Sequence, residues 1–198
     1  MRIQLSDHFS YGKLFRFTLP SIVTMIFTSI YSVVDGLFVS NLVGELALSA
    51  VNIIFPVAMI LAAFGFMLGS GGSAIVARTM GEGKADLANR YFSMIILCVT
   101  ALGTALSILG ALLIEPIARM AGASDLIMED CIAYGRILLA GTAPFMLQMS
   151  FQVFFVTAEL PKMGLVFSLV SGATNIVMDY TLIALCDMGI AGAAWGTV

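Results

Sequence analysis

The sequence predicts an all-α integral membrane protein, a bundle of five full transmembrane helices and the start of a sixth. Of the 198 residues, 60% are apolar and only 11% are charged, whereas about 25% of the residues in an ordinary soluble domain carry a charge. The mean hydropathy of +1.05 is far above what a water-exposed surface tolerates. These values exclude a soluble enzyme, a nucleic-acid-binding protein and a disordered chain as first interpretations.

Five long apolar segments each reach the length of about 20 residues that a helix needs to cross the hydrocarbon core. They run over residues 14–39, 49–77, 92–114, 133–157 and 164–186. A sixth segment, 189–198, begins at Gly189 and stops at Val198, after about half a crossing at 1.5 Å per residue. Because an open helix end leaves backbone carbonyls unsatisfied in lipid, we expect these residues to be the N-terminal part of a longer protein.

The positively charged residues predict the orientation, since cytoplasmic loops of membrane proteins carry an excess of Lys and Arg. With the N-terminus inside the cell, seven of the nine fall in inner loops, and two, Arg119 and Arg136, fall outside. The inner seven are Arg2, Lys13, Arg16, Arg78, Lys84, Arg90 and Lys162. The sequence therefore predicts a multi-pass protein of the cytoplasmic membrane with a cytoplasmic N-terminus.

Two acidic residues lie inside predicted spans, where an ionisable side chain is costly enough to be a functional candidate. Asp35 lies near the end of the first span and Asp179 near the end of the fifth, with Asn175 one turn earlier on the same helix face. Thr197 in the sixth segment reaches a similar depth in the outer leaflet. Burial disfavours a charged carboxylate, so this layer can carry H⁺, and its oxygens can equally coordinate Na⁺. In the alternative interpretation, both acids are helix-end residues that water reaches.

Further polar residues and one proline lie within the spans. Gln148 and Gln152, one turn apart in the fourth span, and Tyr31 in the first are candidates for lining a cavity. The two glutamines could equally hold helices together. Pro20 is expected to kink the first span, unless it lies in the first turn of that helix.

The small-residue run over residues 69–74, GSGGSA, predicts close helix packing. It does not match a phosphate-binding loop, because no Lys-Ser or Lys-Thr pair follows it. The three Cys and the single His8 show no metal-binding spacing. We therefore expect no cofactor and no metal beyond a coupling Na⁺.

Four sequence blocks, taken together, are typical of one family of transporters. SYGKLFRFTLPS over residues 10–21 leads into the first span. SVVDGLFV over 32–39 is followed by a short loop and by ALSA over 47–50. NIVMD over 175–179 and GIAGAAWGT over 189–197 complete the pattern. Over its whole length, the chain resembles the multidrug and toxic compound extrusion (MATE) transporters.

The resemblance implies a fold of twelve helices in two six-helix lobes, of which these residues cover most of the N-terminal lobe. It implies a secondary antiporter, not an enzyme, that expels cationic or amphipathic small molecules against entering H⁺ or Na⁺. Its expected partners are the lipid bilayer, these small molecules and a C-terminal lobe, and no nucleic acid. Matched residue by residue, the ion site would be Asp35, Asn175, Asp179 and Thr197. Pro20 would be the proline at which the first span bends.

Three alternatives stay open. A lipid-linked oligosaccharide flippase shares the architecture, but it would favour several cationic residues inside its cavity, and no Lys or Arg lies in mid-span. A membrane-embedded transferase or hydrolase would need a catalytic His, paired carboxylates on a cytoplasmic loop or a metal cluster, and the sequence offers none. The chain by itself could also be an inert structural piece. The sequence specifies neither the substrate nor the choice between H⁺ and Na⁺.

Overall fold

A computed structural model describes residues 11–198, and every regular element in this range is helical. Residues 1–10, which include His8 and Arg2, lie outside the described part of the chain. Two short π-helical segments, π1 (Val39–Val43) and π2 (Tyr180–Leu185), continue the first and the seventh α-helix. The α-helices are α1 (Tyr11–Phe38), α2 (Glu45–Gly81), α3 (Ala85–Leu112), α4 (Ile114–Met120), α5 (Met128–Ala140), α6 (Thr142–Thr157), α7 (Pro161–Asp179) and α8 (Gly189–Thr197).

Four helical stretches in the described range are long and apolar enough to cross a membrane, and a bent pair can form a fifth crossing. The four are α1 with π1, α2, α3, and α7 with π2, and the bent pair is α5 with α6. The short helix α8 begins a sixth element at Gly189. The predicted fold class, five spans and the start of a sixth, is confirmed. The helices extend beyond most of the expected spans, because hydropathy marks only the part that lies in hydrocarbon.

The fourth expected span, 133–157, is divided into two helices. The first ends at Ala140, the second begins at Thr142, and they meet at an angle of 52°. Pro144 explains the division, because a proline ring collides with the carbonyl group four residues earlier, here that of Ala140. Thr142 donates its hydroxyl to the carbonyl oxygen of Leu139 at 2.7 Å, which satisfies one of the backbone acceptors that the break leaves open.

A second proline accompanies the break between α3 and α4. The third expected span, 92–114, ends earlier, since α3 ends at Leu112 and Pro116 lies in the first turn of α4. Leu112 is again the residue four positions before the proline, where the ring excludes a continuing helix.

Small residues let α2 and α6 pack closely. A Cβ atom added to Gly65 would lie 2.6 Å from the carbonyl oxygen of Met146, and one added to Gly69 would lie 2.7 Å from the Cα of Ser150. Ser150 donates its hydroxyl to the carbonyl oxygen of Gly65 at 2.7 Å. Within the run 69–74, from which close packing was expected, Gly69 is thus the residue at which α2 meets α6.

Helix α7 connects the short helix α8 to the first helix, α1. Helix α8 packs against both α5 and α7, and α1 packs mainly against α7. Only Phe17 and Pro20 of α1 are buried, so this helix lies at the edge of the bundle. Pro20 is well inside α1, which begins at Tyr11, and therefore does not lie in the first described turn of that helix.

Candidate functional site

Asp35 of α1 and Asp179 of α7 bring their carboxyl groups together. The two side chains interact directly; Asp179 is fully buried and Asp35 is half-buried. Asp179 is the last residue of α7 and is followed at once by π2, and Asp35 lies one turn before π1. Both acids thus lie where an α-helix changes to the wider π-helical geometry, a change that is frequent at functional sites.

Asn175 connects α7 to α8 beside the two acids. Its amide nitrogen Nδ2 donates to the carbonyl oxygen of Gly196 at 2.9 Å. A backbone carbonyl only accepts hydrogen bonds, so the side-chain nitrogen of Asn175 points toward α8. Its oxygen Oδ1 therefore points away from the carbonyl of Gly196. Asn175 precedes Asp179 by one helical turn, which places both side chains on the same face of α7.

Thr197 and Tyr134 extend the polar cluster. Thr197 donates its hydroxyl to the carbonyl oxygen of Ala193 at 3.0 Å. Its side chain also interacts with the hydroxyl of Tyr134, which reaches in from α5 and is 1% exposed. The residues predicted from the sequence as an ion site are therefore brought together, and Tyr134 is added to them.

Four buried side-chain oxygens in this cluster have no hydrogen-bond partner in the described part of the chain. They are Oδ1 of Asp35, Oδ1 of Asn175, and Oδ1 and Oδ2 of Asp179. Buried polar atoms are nearly always hydrogen-bonded, and carboxylate and amide oxygens accept hydrogen bonds but cannot donate them. A cation satisfies such a set. It can be a proton shared by the two acids, or a hard ion such as Na⁺ that prefers oxygen ligands.

A comparison with known proteins assigns the chain to a family. The family model described as MatE matches residues 20–181, which include both acids and Asn175. This chain belongs to the MATE family. Members of this family are transporters and not enzymes.

Individual relatives agree with this assignment. The multidrug export protein MepA of Staphylococcus saprophyticus is 25% identical over 187 residues, which cover 91% of this chain and 40% of MepA. An FAD transporter of Shewanella oneidensis is 31% identical over 112 residues, 57% of this chain and 25% of that protein. The chain thus spans less than half the length of these relatives.

Solved structures show the same fold. A crystal structure of a MATE protein in complex with MaD3S matches 92% of this chain and 41% of its own, with a TM-score of 0.84 and 28% identity. A MOP superfamily transporter from Pyrococcus furiosus matches 92% of this chain and 40% of its own, also with a TM-score of 0.84 and 28% identity.

A cavity of about 570 Å³ adjoins the polar cluster of this MATE chain. Tyr31 and Gln148, both predicted as cavity-lining residues, line it. Asn175 and Thr197 belong to its wall and to the polar cluster, whereas the two acids do not line it. The wall also includes hydroxyl-bearing, aromatic and methionine side chains, among them Thr28, Ser32, Ser171, Phe55, Phe145, Phe167, Met59 and Met149.

Gln152 lies apart from this cavity. It donates its amide nitrogen to the hydroxyl of Ser168 at 3.1 Å, which joins α6 to α7. It lines a separate, mainly apolar cavity of about 290 Å³, together with Ser21 and Thr24 of α1. Of the two glutamines, Gln148 thus lines the cavity beside the polar cluster, and Gln152 connects two helices.

Sequence reasoning missed two residues of the cluster. Tyr134 resembles an ordinary core aromatic in a largely apolar segment. Gly196 belongs to the block over 189–197, but its contact with Asn175 depends on how α8 packs against α7. The sequence contains no local signal for either contact.

Proposed function

We propose that this chain forms most of the N-terminal lobe of a multidrug exporter of the cytoplasmic membrane that exchanges its substrate for H⁺ or Na⁺. The N-terminus would lie in the cytoplasm. The observation that carries the proposal is the set of four buried oxygens without a donor, on three residues that meet beside a cavity. That the MepA relatives are multidrug export proteins supports the substrate class.

The coupling follows from the charges of the acid pair. When Asp35 and Asp179 are both ionised, they repel each other in a site that excludes most water. A proton or Na⁺ between them removes the repulsion and favours close packing of α1 on α7. Because α1 packs mainly against α7 and few of its residues are buried, α1 is the helix that can respond with the smallest loss of other contacts. The cation thereby selects one conformation of the lobe.

The substrate cavity and the ion site share Asn175 and Thr197. A substrate that hydrogen-bonds these side chains withdraws them from the cation. Such linkage is reciprocal, so the bound cation must weaken binding of the substrate by the same factor. Mutual weakening is what antiport requires, because the two ligands then leave and enter in alternation.

The cavity wall suits an amphipathic or cationic organic substrate. Its aromatic rings can stack with a planar substrate and attract a positive charge, and Met59 and Met149 can adapt to different shapes. None of its lining residues is Lys or Arg, which are the residues that an oligosaccharide-lipid flippase would favour. This wall therefore favours drug export over lipid flipping.

The experiment measures how ethidium, a cationic amphipathic probe, binds to the chain in lipid nanodiscs. Fluorescence titrations are run across NaCl concentrations against matched KCl, and across pH. We expect the Kd for ethidium to rise as either Na⁺ or H⁺ rises, and this dependence to disappear in Asp179→Asn. Ethidium binding that is independent of both cations would contradict the proposal, as would the same dependence in Asp179→Asn.

A further inference from the structure

Gly196 of α8 lies directly against the carboxyl group of Asp179. A Cβ atom added to Gly196 would collide with Oδ1 of Asp179 and would lie 3.0 Å from its Cγ. Gly196 lies inside an α-helix, and its backbone does not have the positive φ that favours glycine. The residue is therefore glycine because of the space that it leaves for the carboxylate, and not because of its own conformation.

The same residue orients the second oxygen-bearing side chain of the cluster. The carbonyl oxygen of Gly196 accepts the amide of Asn175 at 2.9 Å, and this leaves Oδ1 of Asn175 buried without a donor. Gly196 thus acts on both side chains. Because it has no side chain, it leaves room for the carboxylate of Asp179, and its backbone carbonyl accepts the hydrogen bond from Asn175. Three of the four unpartnered oxygens belong to these two side chains.

We propose that Gly196 is a positioning residue of the ion site. It does not bind the cation, but it fixes how closely α8 approaches Asp179 and which way Asn175 turns its oxygen. The inference rests on the proposed ion coupling. It adds that a single methyl group on α8 displaces the carboxylate and weakens cation binding while all the ion-binding side chains stay present.

Gly192 provides a matched control on the same helix. It lies one turn before Gly196, and a Cβ atom there would lie 3.0 Å from the carbonyl carbon and 3.1 Å from the carbonyl oxygen of Leu182 in π2. Gly192→Ala thus also crowds α8, but the added methyl group meets the backbone of Leu182 and not the carboxylate of Asp179. Gly71 of α2, with no atom within 4 Å of an added Cβ, gives the uncrowded baseline.

The experiment compares Gly196→Ala, Gly192→Ala, Gly71→Ala and the unsubstituted chain, purified in nanodiscs. Cation affinity is measured from the shift of the unfolding midpoint with NaCl against KCl and with pH. Emission of Trp195, the single Trp of the sequence, provides a second probe next to the substituted residue. We expect Gly196→Ala to weaken cation binding by about tenfold or more, since small displacements in a preorganised site have large effects. The two control variants should keep the affinity of the unsubstituted chain.

A double substitution tests the contact itself and covers a Gly196→Ala chain that does not fold. Asp179→Ala removes the carboxylate that the added methyl group would meet. Gly196→Ala should therefore cost less stability in that background than in the unsubstituted chain, because only the contact of the added Cβ with the backbone nitrogen of Asp179, at 3.3 Å, remains. A Gly196→Ala chain with unchanged cation affinity would overturn the inference while leaving the ion site intact. The inference would also be overturned if Gly196→Ala cost as much stability in the Asp179→Ala background as in the unsubstituted chain, or if the double variant failed to fold where Asp179→Ala folds. No cation response in the unsubstituted chain would contradict the proposed ion coupling, and the inference with it.

Discussion

Asn175 donates its side-chain amide to the carbonyl oxygen of Gly196 at 2.9 Å, and this contact joins α7 to α8 one turn from Asp179. In this bond the amide nitrogen donates to a backbone carbonyl, and the amide oxygen of Asn175 stays buried without a hydrogen-bond partner. Together with the unpartnered oxygens of Asp179 and Asp35, that oxygen is the basis on which we propose that the site binds a cation.

Replacing Tyr134 with Phe removes the hydroxyl that faces Thr197. We expect a loss of about 1 kcal/mol in the free energy of unfolding, the usual value of one hydrogen bond, and a weaker cation response. Denaturant unfolding in micelles measures the first effect, and the NaCl-dependent shift of the midpoint measures the second. Tyr180→Phe, at a residue that is 52% exposed, is the control and should change neither. Equal behaviour of the two variants would exclude Tyr134 from the site.

Gln148 and Gln152 should have separable roles. Gln148→Ala removes a polar group from the wall of the large cavity, so it should weaken ethidium binding with little effect on stability. Gln152→Ala removes the bond to Ser168, so it should lower stability by about 1 kcal/mol and leave ethidium binding unchanged. Fluorescence titration and denaturant unfolding of both variants check this. If Gln152→Ala weakened ethidium binding and Gln148→Ala did not, the large cavity would not be the substrate site.

Close packing of α2 on α6 predicts a large difference between two nearby glycines. Gly69→Ala forces a Cβ against Ser150, so it should lower the free energy of unfolding by roughly 1–3 kcal/mol, as overpacking does. Gly71→Ala meets open space and should be neutral or stabilising by up to about 1 kcal/mol, because Ala is the better helix former. The measurement compares the unfolding midpoints of the two variants under the same conditions. Similar values for both would contradict the packing described here.

Membrane orientation is tested by cysteine labelling in intact cells. Single Cys residues are introduced at Lys84, in the loop between α2 and α3, and at Asp125, after α4, in a chain from which the native Cys residues have been removed. We expect a membrane-impermeant maleimide to label position 125 in intact cells and position 84 only after permeabilisation. Labelling of position 84 from outside would reverse the proposed orientation. The native residues to be removed are Cys98, Cys131 and Cys186.

The sequence was sufficient to single out the residues of the proposed ion site, because each is a polar group that lipid penalises. Asp35 and Asp179 are noticeable in apolar segments, and the four-residue spacing of Asn175 and Asp179 places both on one helix face. Counting residues from the predicted span ends gives Thr197 a similar expected depth. The structure brings these side chains into one cluster.

Other features could not be predicted, because they depend on tertiary packing or leave no periodic trace. Tyr134 becomes a member of the cluster only when α5 packs on α8. The π-helical segments after Asp35 and Asp179 change the hydrogen-bond partner by a single residue, which alters no hydrophobic pattern. The break at Gly141 did have a signal in Pro144, but the apolar composition continues across it and hides the bend.

The binding of a cation by Asp35, Asn175 and Asp179 is the central claim. Its most direct test is the unfolding midpoint of the purified chain in NaCl, against KCl of equal ionic strength, at several pH values. A cation at a hundred times its Kd stabilises the protein that binds it by about 2.7 kcal/mol. The account predicts such stabilisation by Na⁺ or by H⁺ in the unsubstituted chain, its loss in Asp179→Asn, and a partial loss in Asp35→Asn, because Asp179 is fully buried and Asp35 is only half-buried. A midpoint in Asp179→Asn that responds to both cations as the unsubstituted chain does would contradict the account.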